Sequence, residues 1–305
     1  MNTRRKFLKL AGTGVLAAGA TSIYASPTMF DAVEKGVNTF SVGMAGYTFK
    51  EFTVEETIEM MKRIGVTNLS LKDFHMPMNS TQEQISSIIG KFRSAGINVY
   101  TVGVVYMKTQ NAVDQAFEYA KIINVYTVGV VYMKTQNAVD QAFEYAKMAG
   151  VRTIVGAPDY ALLPYVEKKI KAYDFKMAIH NHGPDNPLYP NATDIWNHIK
   201  DLDARIGICI DIGHTTRDGH DPCADILKYR SRIYDMHVKD VDKASKEGET
   251  VEMGRGIINI PEVIETLRKI KYSGSCSLEF EKDMKDPLPG IAESIGYLKG
   301  VMACK

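Results

Sequence analysis

Cysteine, tryptophan and net charge are all scarce in this chain of 305 residues, which carries four cysteines, one tryptophan and a formal net charge of +1. The cysteines are Cys209, Cys223, Cys276 and Cys304; they make no CxxC pair and no dense framework, so no structural disulfide is expected. Cys209 and Cys276 fall in apolar, β-like runs and read as small buried residues. The balanced charge, with no basic stripe in the body of the chain, lacks the footprint left by phosphate neutralisation, so no nucleic-acid partner is expected. No apolar run reaches the roughly 20 residues of an ordinary membrane span, so no stable membrane insertion is expected once a leader is removed. No Gly-rich loop follows a strand with dinucleotide or Walker spacing. No Ser-His-Asp nucleophile elbow occurs.

What is present begins with a leader. Thr3-Arg4-Arg5-Lys6-Phe7-Leu8-Lys9 precedes an apolar, small-residue run from Leu10 to Ala20. That is the charged and apolar layout of a signal peptide, and the paired arginines resemble a twin-arginine export signal. Residues 1–25 are therefore expected to be removed between Ser22 and Ser26, leaving a periplasmic protein. The twin-arginine route carries folded chains, so a metal can be loaded before export. An N-terminal helix of the domain is the alternative.

The rest, residues 37–305, reads as one α/β domain. Hydrophobic residues make up 45% and charged ones 24%, which supports a large core. Apolar, β-branched runs alternate with segments of helical period. Strands are expected over Phe40–Ala45, Val66–Phe74, Ile97–Met107, Val151–Ala157, Phe175–Asn181, Ile206–Ile212, Ile233–Val238 and Cys276–Phe280. Helices are expected over Thr53–Ile64, with Thr53 and Glu56 as a capping box, over Ser80–Ala95 and over Thr109–Lys121. Uniform βα alternation means parallel strands, and eight units mean a closed (β/α)8 TIM barrel.

One feature disturbs the count: residues 97–121 recur residue for residue as 123–147. Ancient repeats drift, so identity at every position marks a recent duplication or an assembly error. Closing eight strands fixes their tilt and stagger. One βα unit's worth of chain is therefore expected to be displaced from the barrel; any window of that length across the repeat leaves the same sequence, so the first strand with the second helix is as consistent as either intact copy.

In such a barrel chemistry belongs at the C-terminal ends of the strands. Four adjacent strand ends carry it: His180-Asn181-His182, Asp211-Ile-Gly-His214, His237-Val-Lys239-Asp240 and Glu279-Phe-Glu281. Residues two apart share a face of a strand, so His180 with His182, His237 with Lys239, and Glu279 with Glu281 each form a pair. Imidazoles and carboxylates together make a borderline site for one divalent ion, Mn, Zn, Co, Fe or Mg. Each residue alone has a plainer reading: a hydrogen-bonded histidine, an N-cap for Asp211, a solvated Glu281. Glu279, flanked by Leu and Phe, needs a partner. Further rim candidates are Lys72 and His75 after the second strand, Tyr106 or its copy Tyr132 on the third, and Arg255 in Gly254-Arg255-Gly256, where a plain turn is the alternative.

These four stretches, Ile179-His-Asn-His182, Ile210-Asp-Ile-Gly-His214, Met236-His-Val-Lys-Asp240 and Ser277-Leu-Glu-Phe280, resemble the motifs of the xylose-isomerase-like barrel superfamily, which includes sugar phosphate isomerase/epimerase-type proteins. The resemblance runs from about Val37 onward. It implies metal ligation by Asp211, His237 and Glu279, and substrate contact by His214 and His182. His180 stands where the pattern has its first glutamate, so it completes a His-Asp-His-Glu ligand set and leaves the two-carboxylate proton exchange of keto-sugar epimerases in question. Glu279, His180 and His182 are then the catalytic candidates, and His214, Lys239, His75, Arg255 and Lys72 the substrate-binding ones. The resemblance implies isomerisation or epimerisation of a free sugar or keto-sugar, by proton abstraction next to a carbonyl. Elimination from a 3-keto-glycoside, which would make the chain a lyase, uses the same chemistry. A non-catalytic sugar-binding barrel is the reading from another class.

Overall fold

The structure, a computed structural model, describes residues 40–72, 74–76, 82–102, 127–148 and 153–304. The leader, Tyr106 and the first-copy helix at 109–121 lie outside the described residues.

Strand β1, Ser41–Ala45, is followed by helix α1, Val54–Ile64. Thr53 caps α1 through the expected box: its Oγ1 accepts from the Glu56 backbone at 3.3 Å, and Glu56 Oε2 accepts from the Thr53 backbone at 2.8 Å. Gly65, at φ 62, closes the helix in the left-handed conformation. Thr57, Met60, Met61 and Ile64 form its buried stripe. The chain continues through β2 (Asn68–Leu71), α2 (Gln82–Ser94), β3 (Asn98–Val102), β4 (Thr127–Met133), α3 (Gln136–Met148), β5 (Thr153–Pro158) and α4 (Leu163–Tyr173). Then come β6 (Lys176–His180), α5 (Ala192–Ile199), β7 (Ile206–Asp211), α6 (Ile212–Arg217), α7 (Pro222–Tyr229) and β8 (Ile233–Val238). A short antiparallel ribbon, β9 (Asp240–Val241) with β10 (Thr250–Val251), precedes α8 (Ile260–Lys269), β11 (Ser275–Leu278) and α9 (Leu288–Ala303).

The parallel strands close in the order β1-β11-β8-β7-β6-β5-β4-β3-β2. Alternation along each strand sorts the side chains. Met177, Ile179, Ile208, Ile210, Met236, Val238 and Leu278 join the main core cluster. The intervening residues His180, Asp211, His237 and Glu279 face one another across the ring. The polar interior is thus the second face of strands whose first face makes the core.

Both copies of the repeat supply residues to this ring, and the chain between them, residues 103–126, where the expected displacement falls, lies outside the described residues. The register shows how the two copies share the ring. The two strands pair only at Thr101 with Thr127 and Val102 with Val128, which are equivalent positions in the two copies. β3 pairs with β2 along Asn98–Val102, and β4 pairs with β5 along Thr127–Met133. The pair together covers the span of one strand of the repeat, with a short doubled overlap. Among the described residues nine strand segments thus line the ring, two of them sharing one strand's span.

A second irregularity lies beside β7. Ile208 is opposite Ile233 but Cys209 is opposite Asp235, so Tyr234 is an extra residue, a bulge. Gly207 makes room for it: a Cβ there would lie 2.2 Å from the Arg232 carbonyl oxygen and 2.5 Å from the Tyr234 ring. All four cysteines are free, and among the described residues no helix is long and apolar enough to cross a membrane.

Deleting residues 101–126 joins 98–100 directly to β4 and restores a single strand. The deletion variant is expected to fold and to melt higher by about 4 °C or more, corresponding to ~1–2 kcal/mol. A lower melting temperature in scanning calorimetry would show that the doubled register is stabilising.

Candidate metal centre and rim

Four neighbouring strands bring their C-terminal ends to one place. His180 is the hub: its ring centroid lies 4.8 Å from those of His182 and His237 and 6.1 Å from that of His214. His180 Nε2 is 3.1 Å from His237 Nδ1 and 3.9 Å from Asp211 Oδ2. His237 Nδ1 is 3.5 Å from Glu279 Oε2. One ligand atom from each of His180, Asp211, His237 and Glu279 lies within 4.8 Å of the others. Bonds of about 2.1 Å to zinc place donor atoms about 3–4 Å apart, so the quartet is near ligating geometry. Asp211 Oδ2 accepts no hydrogen bond and is met by the Lys239 ammonium at 3.3 Å, while His180 turns Nε2 to the cluster; two imidazoles and two carboxylates are a donor set that suits a divalent ion. The residues present therefore fit a divalent ion.

Asp211 serves two ends of the site. Its Oδ1 caps α6 by accepting from the His214 backbone at 2.9 Å, while Oδ2 faces the cluster. The N-cap and ligand readings of this residue are thus compatible. Asn181, to which the sequence reading gave no role of its own, fixes the position of Asp211. Its Oδ1 accepts from the Asp211 backbone at 2.8 Å, and its Nδ2 donates to Thr215 Oγ1 at 3.3 Å. An amide between two histidines at a strand end was the available signal.

Lys239 sits among three carboxylates. Its Nζ lies 3.3 Å from Asp211, 3.1 Å from Glu279 and 2.6 Å from Glu281. Burial opposes its charge, but Asp211, Glu279 and Glu281 outweigh that and hold its pKa well above the usual lysine range. For Glu279 burial favours the neutral acid, yet Lys239 and His237 keep the carboxyl well below its ordinary value. Burial raises Asp211, with Lys239 opposing. Burial alone would lower His237, but Glu279, Asp235 and Asp211 raise it. Glu281 gives the ammonium a partner apart from the quartet. Gly213 makes the lysine's path possible: a Cβ there would meet Lys239 Cγ at 2.1 Å.

His182 stands beside the quartet. Its Nε2 is 2.7 Å from Tyr132 Oη, so the second copy of the repeat supplies this tyrosine. Burial lowers the His182 pKa to about 4, leaving a neutral imidazole above that pH. A cleft of about 420 Å³, within the range of small-molecule sites, opens over Lys239, His214, Arg217 and Glu281. It meets the quartet through Lys239 and is not itself lined by the four ligand candidates.

The other rim candidates divide. Lys72 is buried and acts electrostatically on Glu279 and Asp235. His75 lies elsewhere, with its Nε2 3.1 Å from Thr57 Oγ1 on α1. Arg255 is held on α9 by Glu293, at 2.5 and 2.7 Å. Its loop is a turn organised by buried Asp240, which accepts from the backbones of Gly254, Gly256 and Ile258 at 2.9, 3.0 and 3.2 Å. The structure thus brings His180, His182, Asp211, His214, His237, Lys239 and Glu279 together, and leaves His75 and Arg255 outside.

The family model of the xylose isomerase-like TIM barrel matches residues 133–301. The rhizopine catabolism protein MocC of Rhizobium meliloti is 31% identical over 110 residues, covering 31% of this chain and 32% of that protein. The match thus spans about a third of that relative's length. Among solved structures, the 3-keto-D-glucoside 4-epimerase YcjR of E. coli superposes with a TM-score of 0.58 at 14% identity, covering 86% of this chain and 99% of that one. The IolI protein with a bound zinc atom superposes with a TM-score of 0.58 at 13% identity, covering 87% and 98%. At these identities the superpositions establish the fold.

Burial lowers His75 as well as His182 to about 4. The unfolded chain protonates each near 6.5, so it binds more protons than the folded chain between these values. Stability is present above pH 6.5 and is lost as pH falls toward 4. The melting temperature is expected to drop across that window, and less steeply in His75→Gln. Parallel curves for the two proteins would remove His75 as a cause.

Proposed function

We propose that this chain, which belongs to the xylose isomerase-like TIM barrel family, is a divalent-metal-dependent isomerase or epimerase of a free sugar or keto-sugar. The observation that carries this reading is the convergence of His180, Asp211, His237 and Glu279, with ligand atoms within 4.8 Å of one another, beside a neutral His182. The epimerase neighbours and the zinc of the IolI structure agree with it.

The quartet would hold the ion, which supplies Lewis acidity toward adjacent oxygens of a hydroxy-ketone or aldehyde. The remaining steps belong to the side chains. His182 takes the proton from the carbon beside the carbonyl and returns it to the same or the neighbouring carbon. Tyr132 holds the ring through Nε2. Lys239, kept cationic by its carboxylates, balances negative charge developing on substrate oxygen. Glu279, held ionised by Lys239 and His237, is the carboxylate left to share the proton work.

Elimination from a 3-keto-glycoside is the second reading. His180 favours it, because an imidazole replaces the first carboxylate of the family pattern and removes one of the two bases that exchange from opposite faces requires. The paired Arg4 and Arg5 ahead of an apolar run support export to the periplasm by the twin-arginine route.

Asp211→Asn combined with Glu279→Gln is expected to remove bound divalent metal and to lower turnover by roughly 10³-fold or more. Tyr132→Phe is expected to cost about ten-fold in kcat. Deuterium uptake from solvent without aglycone release identifies isomerisation, and release identifies elimination. Sugar binding with neither, unchanged by the double substitution, leaves a binding barrel and overturns the enzyme reading. Changing Arg4 and Arg5 together to lysine is expected to retain the protein in the cytoplasm, as read by cell fractionation. Unchanged periplasmic delivery would exclude the twin-arginine route.

A further inference from the structure

We infer that the thiol of Cys209 closes the two central imidazoles from the floor of the barrel, so that the ion is held by nitrogen and sulfur as well as oxygen and belongs to the zinc-like class. This rests on the proposed metal reading and adds a ligand and a selectivity to it.

The geometry comes from register. Cys209 on β7 is the pairing partner of His180 on β6 and of Asp235 on β8. It lies two residues before Asp211 and so shares its inward face. Its Sγ and one ring nitrogen from each of His180 and His237 lie within 4.8 Å of one another. The residue is fully buried, and Sγ stands 3.9 Å from Asp235 Oδ2. His180 Nδ1, also buried, has no hydrogen-bond partner. An ion between the imidazoles therefore has carboxylates on its rim side, with the Lys239 ammonium already among them, and a thiol backed by a carboxylate on its floor side.

Donor chemistry then gives the occupant. Oxygen-only sites suit Mg and Mn, whereas thiolate with imidazole suits zinc and similarly soft dications. Binding forms one metal–sulfur bond and releases the thiol proton, with no change of oxidation state. Asp235 is a positioning residue here. In the metal-free chain it accepts from the thiol and sets its direction, and the proton leaves the sulfur when the metal–sulfur bond forms.

The test is cobalt(II) loading of the full-length protein. The wild type is expected to show an intense near-ultraviolet thiolate-to-cobalt band at one equivalent. Cys209→Ser and Cys209→Ala, checked for folding by circular dichroism, are expected to lose the band. Zinc affinity should fall in both by about ten-fold or more, the scale on which even outer-shell partners act. Cys276→Ser should keep both. A cobalt protein without the band, or a band that survives in Cys209→Ser, overturns the inference. If the band is absent while Asp211→Asn still abolishes metal binding and turnover, the rim site stands and only the thiol falls. If the wild type binds no cobalt, both readings fall.

Discussion

The ion cluster around Lys239 is the constraint on which the rest of the site depends. One ammonium, almost wholly excluded from water, is shared by carboxylates from β7, from the end of β11 and from the residue two further on. Burying such charges singly would be very unfavourable; burying them together is tolerable only if their geometry is held. The barrel supplies that hold, because Asp211 ends a strand, and Glu279 and Glu281 follow one, whose other face is packed into the core. Gly213 is part of the same constraint, since the lysine stem passes where its side chain would be. The cluster also sets the state of its neighbours: Glu279 stays ionised because Lys239 and His237 outweigh its burial.

Much of this was legible in the sequence. Period-two alternation and polar residues at strand ends located the rim, and the Thr53–Glu56 spacing located a helix start. The resemblance of four short motifs pointed to the ligand quartet. Asp211 was ambiguous between cap and ligand because one-dimensional spacing cannot show that its two oxygens do different jobs. His75 and Arg255 looked like rim residues from their place after or between strands. Which way a loop side chain turns depends on neighbours distant in the chain, Thr57 on α1 for His75 and Glu293 on α9 for Arg255.

Other features were illegible for definite reasons. Cys209 looked like a small apolar residue because burial and hydrophobic flanks are equally true of a core cysteine and an inward-facing one. Eight-strand closure implied that one unit's worth of chain is displaced, but an exact repeat leaves the window undefined, and only the register places the crossover between the copies at Thr101–Val102 and Thr127–Val128. Asp240 ended a quoted motif, but nothing in the sequence gave it a role. Its backbone partners lie 14 to 18 residues away, and only the folded turn collects them.

The extra residue at Tyr234 acts on β8 as a frame shift acts on a coding sequence. With it, Asp235 and His237 stand opposite Cys209 and Asp211. If the same strand paired without the bulge, Tyr234 and Met236 would take those places, and Met236 and Val238 would face the axis where His237 and Lys239 now do. The chemistry of the rim is thus written in a strand whose phase is set by one inserted residue near its start. Pairing there is as strictly specified as identity. A strand that ran through Tyr234 without bulging would turn a charged, ion-holding mouth into an apolar plug without changing any residue of the site.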